Sequence, residues 1–296
     1  MSTGTSGWFA RAIAVRGEDH FVDVDQCPIH YHIYGNPADK PGLLLIAGTA
    51  AHTHWWDFIA PYFTEDYCVV SMDPSGHGDS GHRPEYHMPV FAREVEGVIN
   101  HAGLRETTII GHSFGAAVTL EATRLLEGRL QSVIIVDLGL NPPGHKPPPA
   151  PRPDRVRPRP PRPKEELLQR FRLMPPQECA HQEILDYIAT TGMRREGDLW
   201  NWKFDNGFMS RMRWGDPGAR VPGLSCPAAV VYGEQSFLNT HDLIPYLKSI
   251  FAEGTPFVAI PEANHHLFLD QPLATITTFR ALLQQQSTIG DTSRNP

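Results

Sequence analysis

A serine between two glycines, in the stretch GHSFG at 111–115, is the feature of this sequence with the clearest potential for covalent chemistry. The apolar run 108–110 precedes it, and an Ala/Leu pattern typical of a helix follows it. Where a strand turns directly into a helix, the residues on either side of the turn crowd each other, and glycines relieve that crowding. The pattern therefore predicts that the Ser113 hydroxyl stands above the edge of a sheet, where it can act as a nucleophile.

A serine nucleophile needs hydrogen-bond donors that stabilise the oxyanion formed when it attacks a carbonyl. The backbone N–H of Phe114 is one candidate, because it lies at the N-terminus of the predicted helix. The other is the N–H of Thr49, at the end of LLLIAGT (43–49), an apolar run that finishes in small residues. We expect these two amides to form the oxyanion hole.

Eight short apolar, β-branched runs predict the strands that position this serine. They are Phe21–Val24, Ile29–Tyr34, Leu43–Ile46, Cys68–Met72, Thr107–Ile110, Val133–Val136, Ala228–Tyr232 and Phe257–Ile260. Helix-like patterns lie between them at Trp55–Phe63, Val90–Ala102, Phe114–Leu126, His241–Phe251 and Leu273–Gln285. This alternation predicts an α/β fold, with a mostly parallel central sheet that helices cover on both faces.

The alternation is interrupted once, by a proline- and arginine-rich stretch at 141–166. Proline removes backbone donors and fixes φ, so this stretch cannot be a helix interior or a central strand. The sequence therefore predicts a core at 18–140 and 222–286, an inserted helical cap or lid at 141–221, and flexible tails at 1–8 and 287–296. We interpret the proline-rich segment as a stiff lead-in to the cap, in preference to a polyproline ligand for a recognition domain.

The aromatic run LWNWKFDNGFMSRMRW at 199–214 lies in this predicted cap. Small-molecule sites are mostly apolar and form where two lobes meet. We therefore expect part of the run to line a substrate pocket, and the candidates are Trp200, Trp202, Phe208, Met209 and Trp214.

Three motifs occur in an order that resembles the α/β-hydrolase fold superfamily. They are DPSGHGDS at 73–80, GHSFG at 111–115 and IPEANHHLFLDQP at 260–272. The chain resembles the serine-nucleophile branch with a cap inserted after the sixth strand. That resemblance implies Ser113 as nucleophile and His265 as base. It implies His265 rather than His266 because a histidine seven residues before a proline has this role in the family, and Pro272 fits.

The resemblance also implies that Asp73 and Ser80 hold the glycine-rich loop. Two positions depart from the family's pattern. The usual His-Gly after the third strand is Ala47-Gly48 here, and the carboxylate usually found after the seventh strand is replaced by Ser236 in the stretch GEQS at 233–236.

A triad base needs a carboxylate that fixes its tautomer, and three acidic residues lie near predicted strand ends: Asp137, Glu234 and Asp242. Asp242 belongs to a predicted helix or its start, and Glu234 occupies a position that is usually not the acid in the family. Asp137 ends the run SVIIVD and should emerge at the carboxyl edge of the sheet, one strand from Ser113. Some relatives carry the acid after the sixth strand. We therefore predict Asp137 as the acid, with Glu234 as the alternative.

The overall composition excludes several classes of protein. The net charge of −7 and the isoelectric point near 6.1 give no electrostatic reason to expect a nucleic-acid partner. Four cysteines without paired spacing argue against a disulfide framework and fit a reducing compartment. The N-terminus does not resemble a signal peptide, and no apolar run approaches the roughly 20 residues of a membrane span. We expect a cytoplasmic protein without a membrane span.

Fifteen histidines raise the question of a metal site. His52 and His54 could share one side of an extended segment, but no acidic or cysteine ligand follows at a recognisable zinc spacing. The sequence therefore predicts no metal and no cofactor. His77, His82 and His87 fall in a polar loop and are expected at the surface.

These features favour a serine hydrolase that cleaves an ester, thioester or lactone of a hydrophobic small molecule through an acyl-enzyme. Relatives with the same fold leave alternatives open: a carbon–carbon hydrolase, an acyltransferase, a cofactor-free oxygenase or a non-enzymatic ligand receptor. In each case the expected partner is a hydrophobic small molecule.

Overall fold

The computed structural model describes residues 7–140, 159–239 and 242–294. The first six residues, the proline-rich segment up to residue 158 and the last two residues of the predicted C-terminal tail lie outside the described residues. A central eight-stranded sheet contains β1 Glu18–Val24, β2 Cys27–Tyr34, β3 Gly42–Ile46, β4 Cys68–Met72, β5 Thr107–His112, β6 Leu130–Val136, β7 Ala228–Gly233 and β8 Phe257–Ile260. All eight predicted strands are confirmed.

The strands lie in the order β1-β2-β4-β3-β5-β6-β7-β8. The pairs β1–β2 and β2–β4 are antiparallel, and the other neighbours are parallel. The carboxyl ends of β3, β5, β6 and β7 therefore meet at one edge of the sheet, as the α/β prediction requires.

Strand β3 shows why the middle of the sheet is apolar on both faces. Leu44 and Ile46 belong to one buried cluster, whereas Leu43 and Leu45 belong to a second cluster on the opposite side. Side chains alternate between the faces of a strand, so a continuous run of Leu and Ile supplies both layers. The central sheet is thus covered on both faces.

Nine helices are described, together with short 3₁₀ turns. They are α1 Gly7–Ala14, α2 Met88–His101, α3 Phe114–Leu125, α4 Lys164–Arg170, α5 Gln182–Thr191, α6 Phe208–Arg211, α7 Leu243–Ile250, α8 Leu267–Asp270 and α9 Pro272–Arg294. The helices predicted near 90, 114, 241 and 273 are confirmed within a few residues.

Two helix predictions differ from the structure. The segment predicted as a helix at 55–63 forms two separate 3₁₀ turns, Thr53–Trp55 and Ala60–Phe63. Pro61 explains the break, because it has no N–H and its ring clashes with the carbonyl four residues earlier. At the C-terminus, α9 continues to Arg294 through most of the predicted tail, and α1 includes residues 7 and 8 of the predicted N-terminal tail. No proline follows Pro272 before residue 296, so the α9 backbone ladder is not interrupted.

The described part of the insertion between β6 and β7 is not purely helical. Helices α4 and α5 are followed by an antiparallel hairpin, Met193–Glu196 with Leu199–Trp202, and then by α6. Gly197, at a φ of 64°, and Asp198 form the two-residue loop that this hairpin needs. Met212–Arg213 then pairs in parallel with Tyr86–His87 and ties the insertion to the core.

Candidate active site

Ser113 occupies the sharp turn between β5 and α3. Its φ of 54° and ψ of −115° are unusual for a residue with a side chain. A Cβ at Gly111 would lie 2.3 Å from Thr119 Oγ1, and one at Gly115 would lie 2.3 Å from the Ile46 carbonyl oxygen. The two glycines are therefore what allow the turn to close around the serine.

A continuous hydrogen-bond chain joins three of the predicted residues. His265 Nε2 lies 3.0 Å from Ser113 Oγ, and His265 Nδ1 lies 2.7 Å from Asp137 Oδ2. His265 and Asp137 are each only 3% exposed, whereas Ser113 is half-buried. If Nδ1–H donates to the carboxylate, Nε2 is left as the acceptor for the serine hydroxyl, which is the arrangement of a general base.

Asp137 directly follows β6 and also has a positive φ, of 45°. The Gly233 N–H donates to its Oδ1 at 3.0 Å. Of the other two acidic candidates, Glu234 is exposed and accepts from the Glu262 N–H, and Asp242 is the exposed residue directly before α7. Only Asp137 among the three contacts the imidazole of His265.

Sequence reasoning missed the contribution of Ser236. Its hydroxyl donates to Asp137 Oδ2 at 2.6 Å, the same oxygen that accepts from His265. Relatives carry a carboxylate at position 236. Here Ser236 instead donates a hydrogen bond to the carboxylate of Asp137, which comes from the end of the neighbouring strand, β6. The missing carboxylate at 236 was the sequence signal for this arrangement.

His112 was also missed as a supporting residue. Its Nε2 donates to the carbonyl oxygen of His265 at 2.9 Å, and burial lowers its pKa well below the ordinary value, so the ring stays neutral. His266, which is 2% exposed, packs edge-on against Trp55 at 5.3 Å. The two histidines beside His265 thus build the wall that holds it.

The two predicted oxyanion donors lie beside the serine. Phe114 is the first residue of α3, so its N–H has no acceptor within the helix. Thr49 follows Gly48, where a Cβ would lie 3.2 Å from the Ser113 Cβ and 3.0 Å from His112 Nδ1. A glycine at 48 therefore lets the Thr49 loop approach Ser113.

The expectation that His77 is a surface residue is wrong. It is 1% exposed, and its ring stacks on Phe114 at 5.1 Å with a 10° interplanar angle. Its other neighbours are Phe204 and Phe208, at 5.0 and 4.6 Å. Burial lowers the pKa of His77 to about 4, so it packs as a neutral aromatic ring beneath the site.

The loop that contains His77 is held as the family resemblance implied. Asp73 accepts hydrogen bonds from the Thr53 and Asp79 amides at 2.7 and 3.0 Å, and the Ser80 hydroxyl donates to the Asp73 carbonyl. A Cβ at Gly78 would lie 2.1 Å from the Asp73 carboxylate, so this loop requires glycine at that position.

A cavity of about 410 Å³ lies between the core and the insertion. It reaches the site through Thr49 and Ala50, while Ser113 and His265 are not among its lining residues. Its apolar walls comprise Trp55, Leu167, Phe171, Leu173, Met174, Ile188, Trp202 and Phe204. This volume suits a small-molecule ligand.

Only Trp202 among the five predicted pocket residues lines this cavity. Phe208 is fully buried against Phe114 and Phe91, and Trp214 is half-buried with its ring edge-on to Phe114. Met209 packs against the core, and Trp200 lies under the Lys164 ammonium at 5.1 Å. Helix α6 and the residues after it turn Phe208, Met209 and Trp214 toward the core, a distinction that composition does not reveal.

Histidine and aspartate groups elsewhere lie close enough to hold a metal ion, for example His32, His54 and Asp57. In the described structure these atoms bond within the protein: His54 Nδ1 lies 2.7 Å from Asp57 Oδ2, and the Tyr34 hydroxyl donates to Asp57 Oδ1 at 2.7 Å. Tyr187 of α5 also donates to Asp57, which links the insertion to the core. Hydrogen bonds thus account for the carboxylate's position.

Residues 43–278 match the model of the α/β-hydrolase family. The chain belongs to this family. A serine hydrolase-like protein from Danio rerio is 29% identical over 108 residues, which are 36% of this chain and 33% of that protein. The chain thus matches about a third of the length of such curated relatives.

Two solved structures share the fold over most of the chain. The thioesterase domain from the curacin biosynthetic pathway has a TM-score of 0.71 and 20% identity, with 88% of this chain and 98% of that domain covered. An esterase from a marine microorganism has a TM-score of 0.65 and 21% identity, with 86% and 98% covered. Within the described residues, no helix is long and apolar enough to cross a membrane.

Proposed function

We propose that this α/β hydrolase is a serine esterase that cleaves an ester, thioester or lactone of a hydrophobic small molecule. The observation that carries the proposal is the hydrogen-bond chain from Ser113 through His265 to Asp137, with 3.0 and 2.7 Å links. A serine hydroxyl becomes nucleophilic when an adjacent base accepts its proton and a third group orients that base.

In the proposed reaction, Ser113 Oγ attacks the substrate carbonyl carbon while His265 Nε2 takes the hydroxyl proton. The Phe114 and Thr49 amides stabilise the resulting oxyanion, and Asp137 stabilises the imidazolium. The imidazolium then gives its proton to the leaving alkoxide or thiolate, which departs and leaves an acyl-serine. Water attacks the acyl group with His265 as base, the acid is released and the serine is restored.

The cavity supports a substrate with a hydrophobic part. Buried side chains of the insertion, Leu167, Leu173 and Ile188, form part of its walls. We propose that the insertion acts as a cap, whose apolar surface binds the part of the substrate remote from the reacting carbonyl.

A fluorophosphonate probe tests the nucleophile directly, because it forms a covalent bond with an activated serine. We expect labelling of the wild type and none of Ser113→Ala. Ser249→Ala is the matched control, since this exposed serine on α7 bonds only the Tyr246 carbonyl among the contacts described for it. Labelling that persists in Ser113→Ala would contradict the assignment.

A panel of short esters, thioesters and lactones tests the reaction class. We expect turnover that Ser113→Ala abolishes and that releases free acid rather than a product acylated on another acceptor. A ligand receptor would instead bind members of the panel without turnover, and an acyltransferase would require an added alcohol or amine.

A further inference from the structure

Cationic side chains are concentrated around the cavity. Arg159, Arg162, Arg170, Arg172 and Lys203 line it, and no aspartate or glutamate does among the residues that the structure describes. This is the reverse of the chain as a whole, whose net charge is −7. The cavity is therefore a local exception to an acidic protein.

Two carboxylates outside the lining neutralise part of this charge. Glu166 Oε1 accepts from Arg162 Nη1 at 2.5 Å and also lies 3.3 Å from Arg170 Nε. Asp79 Oδ2 lies 2.5 Å from Lys203 Nζ. One carboxylate is thus shared by two guanidinium groups, and the second is committed to the lysine.

Arg159 and Arg172 form no ion pair with any carboxylate in the described parts of the chain. Asp205 is near enough to interact with the charge of Arg159, but its carboxylate is paired directly with Arg211. Arg172 Nη1 donates to the carbonyl oxygens of Gln169 and Phe171, at 2.9 and 2.6 Å, which leaves its charge uncompensated. Both side chains belong to exposed residues at the cavity wall. Among the described residues, no hydrogen bond engages the Arg159 guanidinium or the Nε and Nη2 atoms of Arg172, so these N–H groups are available to a carboxylate, which a guanidinium can bind through two parallel hydrogen bonds.

Much of the rest of the wall is apolar, and Leu167, Leu173 and Ile188 are buried. A neutral hydrocarbon would fill this part but would leave the two guanidinium groups without a counter-charge. A molecule with an apolar body and one oxyanion group satisfies both regions at once.

We propose that the natural substrate carries an oxyanion group, such as a carboxylate, on an apolar body, and that Arg159 and Arg172 bind that group. This inference rests on the proposed hydrolase function and specifies its substrate class. The oxyanion group raises the affinity of the cavity for this substrate over a neutral one, while Ser113 and His265 perform the chemistry.

Two matched pairs of esters test the preference and locate the anion. Monomethyl adipate against methyl hexanoate places the carboxylate on the acyl side. The pair 4-carboxybenzyl hexanoate and benzyl hexanoate places it on the alcohol side. In one of the two pairs we expect the anionic ester to have at least about tenfold higher kcat/KM, as a charge-assisted hydrogen bond permits. The preference should shrink between about 0.05 M and about 0.5 M NaCl.

Arg159→Gln and Arg172→Gln should each lower kcat/KM for the anionic ester about three- to tenfold and leave the neutral ester unchanged. The double variant should abolish the preference. Arg195→Gln is the matched control, because this exposed arginine lies on the insertion's hairpin, pairs with Asp198 and does not line the cavity.

The outcomes separate this inference from the function on which it rests. Equal turnover of both members of each pair, or an unchanged preference in the double variant, would overturn the anion site and leave the esterase intact. If neither member of a pair is hydrolysed, calorimetric titration of Ser113→Ala with monomethyl adipate and 4-carboxybenzyl hexanoate tests the anion site by binding alone. Binding that the double arginine substitution removes supports the site. Absence of binding of both esters overturns it.

Discussion

Two aspartate–histidine pairs in this protein have nearly the same geometry and different surroundings. In one, His265 Nδ1 lies 2.7 Å from Asp137; in the other, His30 Nδ1 lies 2.8 Å from Asp73. All four side chains are buried. The pairs differ at the second ring nitrogen. That of His265 faces the hydroxyl of Ser113, and we call His265–Asp137 the open pair because this nitrogen can receive the serine proton. That of His30 lies 2.9 Å from the carboxylate of Asp19, and we call His30–Asp73 the closed pair because no reacting group faces this nitrogen.

The closed pair acts as a structural clamp. Burial lowers the pKa of His30, but the hydrogen bonds and charges of Asp73 and Asp19 outweigh it and raise the pKa overall. The pKa of Asp73 is correspondingly lowered, because its interactions with His30 outweigh the effect of its burial. Held between two carboxylates, the His30 imidazole favours its protonated form more than a free imidazole does, and it stabilises the glycine-rich loop. An Asp–His pair is therefore diagnostic of catalysis only when the other nitrogen meets a group that can react.

The largest contrast is expected between His265→Ala and His30→Gln. We expect His265→Ala to lower kcat by about 10³-fold or more with an unchanged melting temperature, as for other triad bases. His30→Gln should leave kcat within a few-fold but reduce the free energy of unfolding by about 3 kcal/mol, because it breaks a buried charge pair. Ester kinetics and urea denaturation measure the two effects.

His266→Ala is the control within the site, since this neighbour packs against Trp55 and does not reach the serine. It should be much milder than His265→Ala in kcat. Equal losses for the two variants would show that the wall of histidines, rather than one base, limits the reaction.

Asp137 and Glu234 should differ in the same way as His265 and His266, because only the first of each two belongs to the hydrogen-bond chain from Ser113. Asp137→Asn should lower kcat by about 10²- to 10⁴-fold, because an amide cannot hold the imidazole in the tautomer that accepts the serine proton. A near-normal rate with a folded protein, shown by circular dichroism, would remove Asp137 from the mechanism. Glu234→Gln is the matched control, since Glu234 accepts from the Glu262 amide and should leave kcat unchanged.

Four histidines that form no hydrogen bond with a carboxylate in the described structure extend the comparison to the pH dependence of stability. Burial lowers the pKa of His52 and His266 to about 3 and that of His77 to about 4, and it holds the pKa of His112 well below its ordinary value. Between about pH 4 and 6.5 the unfolded chain protonates these rings and the folded chain does not. We therefore expect the free energy of unfolding to fall as the pH drops through this window, by at most about 1.4 kcal/mol per pH unit for each ring.

His30 has the opposite sign, because its raised pKa contributes stability that is complete below about pH 6.5 and is lost as the pH rises through the folded value. Denaturation at several pH values measures the sum. His77→Phe should flatten the slope between pH 4 and 6.5, since a phenyl ring has no proton to bind. An unchanged slope in that variant would contradict a neutral His77.

Local patterns predicted the strands because each one is a short apolar, β-branched run that can be recognised before its partners are known, although its hydrogen bonds are made to strands distant in sequence, as in the pairing of Leu43 with Thr108. Ser113 and His265 followed from motifs, and Asp137 from the position of a carboxylate at a strand end. The hydrogen bond between His30 and Asp73 joins residues 43 positions apart, one in β2 and the other directly after β4, so no local sequence pattern predicts it.

The insertion was the hardest region to predict. Phe208 and Trp202 belong to the same aromatic run, yet one is buried in the core and the other lines the cavity. Their hydrophobicity is alike, so only the packing of α6 against the core separates them. The same holds for the arginines of the cavity: Arg159 precedes α4 and Arg172 follows it, and only the fold places both in the cavity wall.

The smallest expected effect is that of Ser236, which tests how closely the open pair must be held. Its hydroxyl donates to Asp137 Oδ2 at 2.6 Å, while the Gly233 amide still binds Oδ1 at 3.0 Å. Ser236→Ala removes one of the two donors that orient the carboxylate, so we expect kcat to fall about three- to tenfold with KM unchanged. Ser236→Thr retains the hydroxyl and should restore most of the rate. A structural role alone would lower the melting temperature and leave kcat of the folded protein unchanged, whereas a positioning role lowers kcat of the folded protein and is rescued by the threonine hydroxyl. If kcat does not change in Ser236→Ala, the Gly233 amide alone suffices to position Asp137.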